Sequence, residues 1–190
     1  MRRLGRAGVV LLGLLLSQGA CSRPACEDGA AAKPAQVDQG MVAYLSMASA
    51  LHHEADLAES RNDGPAALVA LGRLLDAKIP GSYPEVREVR ADTLARAAEL
   101  SLQQGGLERA ESYLQRGLVE VPEETYYRGR LFEVSGLLYE AESKELEAAG
   151  KLAEAEAKKR DAIDRLEQAV RIQQAVIERA TAPNAPKQAP

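Results

Sequence analysis

Residues 91–122 read ADTLARAAELSLQQGGLERAESYLQRGLVEVP, and their periodicity decides the fold. Leu94, Ala97, Ala98, Ser101 and Leu102 recur at helical spacing, and Val89 and Val86 carry the pattern backwards, so a helix is expected from Val86 to Gln104. Gly105-Gly106 turns the chain, because glycine takes the left-handed backbone without a steric penalty. Leu107, Ala110, Leu114, Gly117 and Leu118 then line a second helix to about Glu120, and Pro122 closes it. The segment predicts two antiparallel helices in close contact.

The same reading extends in both directions. Upstream, Leu45, Ala48, Leu51, Ala55 and Ala58 predict a helix over roughly Met41–Ser60. Asn62-Asp63-Gly64-Pro65 breaks it, and Pro65 suits an early position of the next helix, which carries Ala67, Leu68, Leu71, Leu74 and Leu75 and ends near Ile79-Pro80-Gly81. Downstream, long helices are expected from Tyr126 to Ala149 and from Lys151 to about Ala180. They should pack as a hairpin, with Leu131, Leu138 and Leu146 facing the last helix. Its distal part, Glu140–Arg160, is charged on most faces and should protrude into solvent. Aromatic residues are only 4% of the chain, with no Trp and a single Phe, so packing must come from Leu against Ala, which suits helix pairs better than a sheet. The expected fold is all-α: about six helices in three antiparallel αα-hairpins over residues 41–180, the C-terminal hairpin elongated, with a disordered Pro- and Ala-rich tail at 181–190.

Residues 91–122 resemble a tetratricopeptide repeat. Leu94 and Ala97-Ala98 lie along its first helix, Gly105 turns, Leu107, Ala110, Leu114, Gly117 and Leu118 line the second, and Pro122 terminates. Ser101 departs from the family, which prefers Tyr there. Residues 48–80 fit the template more loosely, and Phe132, Gly136, Tyr139, Ala162, Leu166 and Ala169 fit it in the last pair. The matching alanines Ala67, Ala110 and Ala162 are 43 and 52 residues apart, against roughly 34 in the regular family. The resemblance therefore implies a diverged, short solenoid with lengthened helices.

The chain opens MRRLGRAGVVLLGLLLSQGAC. A basic stretch, Met1–Arg6, precedes an apolar run, Val9–Leu16, whose length suits a signal-peptide core and is too short to span a bilayer. Gly19-Ala20-Cys21 resembles the lipobox of bacterial lipoproteins, with Gln18 where the family usually has Leu. The resemblance implies cleavage after residue 20 and diacylation of Cys21, which would hold the protein on a membrane. Ordinary cleavage near Ala20, giving a soluble periplasmic protein, remains the alternative. Residues 21–40 are rich in Pro, Gly, Ala and charge without apolar periodicity, and are expected to form a disordered tether. Ser22 after the cysteine fits an outer-membrane location facing the periplasm.

Removing Arg2, Arg3 and Arg6 with the leader lowers the 24 basic residues to 21 against 28 acidic ones, a net charge of -7. That balance, without a basic stripe, argues against nucleic acid as a partner. The remaining cysteine, Cys26, lies near the leader. The only histidines, His52 and His53, are adjacent and point about 100° apart on a helix, which is not the same-face spacing of a metal pair. Glu154–Lys158 and Glu156–Arg160 fit solvated i,i+4 pairs, and Tyr126-Tyr127 fits core packing at a helix start. With no phosphate loop and no nucleophile–base pair, neither an enzyme, a cofactor, a metal nor a small-molecule substrate is expected.

The tetratricopeptide resemblance implies a groove lined by the first helix of each pair. His52, Asp56, Asp92, Ala95 and Glu99 would face it, and the family's basic carboxylate clamp is missing. Such an acidic groove favours a basic or neutral segment. The expected function is a membrane-anchored scaffold or adaptor for another envelope protein. The alternative is a structural spacer without a specific partner.

Overall fold

The computed structural model describes residues 38–182; the leader, Cys21, most of the expected tether and residues 183–190 lie outside the described residues. The described chain is all-helical: α1 Gln39–Glu59, α2 Gly64–Asp76, α3 Pro84–Gln103, α4 Leu107–Glu120, α5 Tyr126–Ala148 and α6 Leu152–Thr181.

Local chemistry places the ends of these helices. α1 starts two residues before the apolar pattern suggests, because the Asp38 carboxylate accepts the Met41 N–H at 2.9 Å. Asp63 caps α2 in the same way, accepting from Ala66, with Pro65 in the first turn. Thr125 caps α5. The α3–α4 and α5–α6 turns pass through Gly105 and Gly150, at φ of 74° and 75°, where a side chain would be strained. Arg128 donates to the Leu118 and Val121 carbonyls, supplying partners that the end of α4 lacks within its own helix.

The helices pair as three antiparallel hairpins, α1–α2, α3–α4 and α5–α6, and each hairpin touches only the next. Leu71, Leu74, Leu94 and Leu131 are fully buried across these seams, each contributing about 1.5–3 kcal/mol by leaving water. Small residues set the spacing. A Cβ on Gly117 of α4 would lie 2.6 Å from a Leu131 methyl of α5, and one on Gly136 of α5 would lie 2.7 Å from Leu166 of α6.

The last hairpin corrects one expectation. Leu131 and Leu138 pack with Leu94, Ala98 and Leu114 of the preceding hairpin, not against α6. Phe132 makes the α6 contact instead, with Ala169 and Ile172. The 3.6-residue period puts Leu131 and Phe132 about 100° apart, so α5 serves two neighbours from two faces. Phe132 also has the guanidinium groups of Arg128 and Arg165 at 5.3 and 5.6 Å from its ring centre. In the distal hairpin, Lys158 bridges to Glu142 of α5 at 2.6 Å rather than to Glu154, while Arg160 stays near Glu156 at 3.8 Å.

Candidate functional site

The backbones of α1, α3 and α5 approach closely in succession, whereas those of α2, α4 and α6 stay further apart and meet through side chains such as Arg116 on the Leu75 carbonyl. The stack is therefore narrower on the α1/α3/α5 side, and a cleft opens there. It has a volume of about 180 Å³ and is lined by Glu59 of α1, Asp92, Arg96 and Glu99 of α3, and Arg130 of α5, among others.

Arg96 organises one wall. Its guanidinium donates to Asp56 at 2.6 Å and, through Nε, to Glu59 at 3.1 Å. Arg130 does the same across the other wall, donating to Glu99 at 2.7 Å, with Glu133 at 3.6 Å. Asp92 and Glu88 have no ion-pair partner among the described residues. Burial pushes the Glu88 carboxyl above the usual carboxylate range, and Glu85 adds to it. Burial likewise raises the Tyr127 phenol, reinforced by the charges of Glu88 and Asp92. The mouth between α3 and α5 is thus where negative charge remains uncompensated.

His52 is held, not free. The Thr93 hydroxyl gives its proton to the Val89 carbonyl at 2.7 Å, so the His52 Nε2 at 2.9 Å must donate to Thr93 Oγ1. That leaves Nδ1 as the acceptor facing Arg96 at 3.3 Å. Burial lowers the His52 pKa, opposed by Asp92 and assisted by Arg96. A proton on Nδ1 would meet a guanidinium, so the geometry favours neutral imidazole. His53 is exposed.

The structure brings His52, Asp56, Asp92 and Glu99 to this cleft or its rim. Ala95 lies beneath it, fully buried with Leu94 and Ala98. Arg96 and Arg130 were not anticipated from the sequence. Arg96 had a legible signal, since Asp92, Arg96 and Glu99 share one helical face at four- and three-residue spacing. Arg130 had none, because its partner Glu99 is 31 residues away on another helix.

Tyr126 and Tyr127 meet edge to face at 5.3 Å, Tyr127 partly packed and Tyr126 exposed. Among the described residues, no group of three or more His, Cys, Asp or Glu side chains could hold a metal, and no helix is long and apolar enough to cross a membrane. The cleft's chemistry is electrostatic: fixed guanidinium groups ordered by carboxylates, with Asp92 and Glu88 able to meet a cation. No protein-family description, curated protein or solved structure matches the chain.

Proposed function

We propose that this chain is a lipid-anchored protein of the bacterial envelope whose tetratricopeptide-like hairpins dock a cation-bearing segment of another protein in the α1/α3/α5 cleft. The anchor rests on the Val9–Leu16 core followed by Gly19-Ala20-Cys21. The docking reading is carried by one observation. Arg96 and Arg130 already occupy Asp56, Glu59 and Glu99, so Asp92 and Glu88 are the carboxylates left to receive a Lys or Arg of a partner.

Cross-linking from intact membranes tests the docking. The wild-type protein should capture a stoichiometric partner, and an Asp92→Lys, Glu88→Lys variant of unchanged helical content should lose it. Recovery of no partner by the wild type, or of the same partner by the variant, rejects the reading. The anchor is tested separately by Cys21→Ala, which should leave the membrane fraction. If it stays there as the parent does, Cys21 is not the anchor.

A further inference from the structure

A surface helix needs one apolar stripe to face its core; α6 has two. Over its 30 residues, α5 is the one described helix whose backbone lies close against it. Ala155, Ala162 and Ala169 make that inner stripe at seven-residue spacing, with Ile172 beside them. About a quarter turn away, Ile163, Val170 and Ile177 repeat at the same spacing and are 55%, 55% and 61% exposed. Leu152 and Leu166 sit on this outer stripe at the intervening heptad positions, Leu152 at 68% exposure. Leu166 also covers Gly136, so the stripe runs on the α5 side that carries the exposed Leu137, away from α3 and α4. β-branched residues at one heptad position with Leu at the other form a seam that receives a second helix. No described helix of this chain fills it.

The charges beside the seam select the occupant. We infer that a second copy of this chain lies antiparallel along the outer stripe of α6, related by a two-fold axis between Asp164 and Arg165. In that register Ile163 meets Leu166 of the other copy, and Ile177 meets Leu152. Each contact occurs twice by symmetry. The same register sets Arg160 opposite Glu167 of the second copy, again twice. Within their own helix these two groups have only loose neighbours, Glu156 and Arg171, both at 3.8 Å. Val170 falls against the alkyl stem of Lys159, whose ammonium is drawn aside to Glu147 at 2.6 Å.

Other registers are poorer. Moving the second helix by one heptad so that Leu166 meets Val170 sets Glu167 against Glu167. A parallel pair puts Arg160 and Glu167 opposite Ala155 and Ala162, positions already sealed against α5. The antiparallel pair uses no residue of the α1/α3/α5 cleft, so it does not depend on the docking proposal.

Sedimentation equilibrium of the full chain in density-matched detergent tests this. The wild-type protein should have twice the chain mass, and Val170→Lys should be monomeric with unchanged helical content by circular dichroism. Arg160→Glu and Glu167→Arg should each weaken the dimer by at least about 10-fold, and their combination should restore it. A monomeric wild type overturns the proposal. So does a Val170→Lys protein that remains dimeric, or a charge exchange that fails to rescue.

Discussion

Arg90 of α3 grips Glu120 of α4 with two parallel hydrogen bonds, Nε to Oε2 at 2.8 Å and Nη2 to Oε1 at 3.0 Å, while its Nη1 donates to the Leu75 carbonyl at 3.1 Å. Arg116 repeats the pattern from outside, donating to Glu120 at 2.9 Å and Leu75 at 3.2 Å. Leu75 lies in the last turn of α2, where carbonyls lack partners within the helix. One carboxylate and two guanidinium groups therefore fasten the first hairpin to the second. The side chain of Arg90 is only 4% exposed, so water cannot replace Glu120 easily.

Removing Glu120 should leave that buried charge uncompensated. Glu120→Ala is expected to cost about 3 kcal/mol in urea unfolding. The double change Arg90→Met, Glu120→Leu should cost less than the single one, since it removes the stranded charge. Equal or larger loss in the double variant would show that the pair acts mainly through packing.

Acid should destabilise the fold in two stages. Burial raises the Glu120 carboxyl, but hydrogen bonds from Arg90 and Arg116 outweigh it and leave the pKa below 4.5. A lowered carboxyl stabilises the fold above its unfolded value, and that stability is lost as pH falls through the folded value. His52 acts earlier. Its folded pKa is held below 6.5 by burial, so the unfolded chain takes the proton first and stability declines as pH falls below about 6.5. Glu88, raised by burial, runs in the opposite direction. Unfolding free energies measured from pH 8 to pH 5 should therefore fall, and His52→Gln should flatten the upper part of the curve.

The imidazole assignment has its own readout. Nitrogen NMR should show His52 as the neutral Nε2–H tautomer at pH 7, with a pKa below 6.5. A proton found on Nδ1 would contradict the Thr93–His52–Arg96 geometry.

Two glycine substitutions should have opposite signs. Gly72 in α2 has nothing within 4 Å of an added Cβ, so Gly72→Ala should stabilise by up to about 1 kcal/mol through helix propensity. Gly117 gains the same propensity, but its Cβ would press on Leu131, which is fully buried and has no room to move. Gly117→Ala should cost about 1–3 kcal/mol by overpacking. Thermal unfolding of the two variants against wild type checks both.

The helices, their turns and their pairing were legible because those signals are local. Leu94, Ala97, Ala98, Ala110 and Leu114 repeat at the period of one helical face, and Gly105, Asp63 and Pro65 punctuate the chain where only certain backbones are allowed. Less of the cleft was visible. Asp92 and Glu99 were placed by the tetratricopeptide resemblance, but Ala95 proved to be core, since α3 is covered on more sides than one groove requires.

By itself, then, the sequence determined six helices and three hairpins through spacings of a few residues. Only the tertiary structure decided that Leu131 serves the second hairpin while Phe132 serves α6, and that Arg96 and Arg130 pair with Asp56, Glu59 and Glu99 and leave Asp92 unpaired among the described residues. It also decided which of the two apolar stripes of α6 is left outside. The reason is physical: periodicity tells which residues share a face, whereas the neighbour that covers the face comes from elements 30 to 40 residues away.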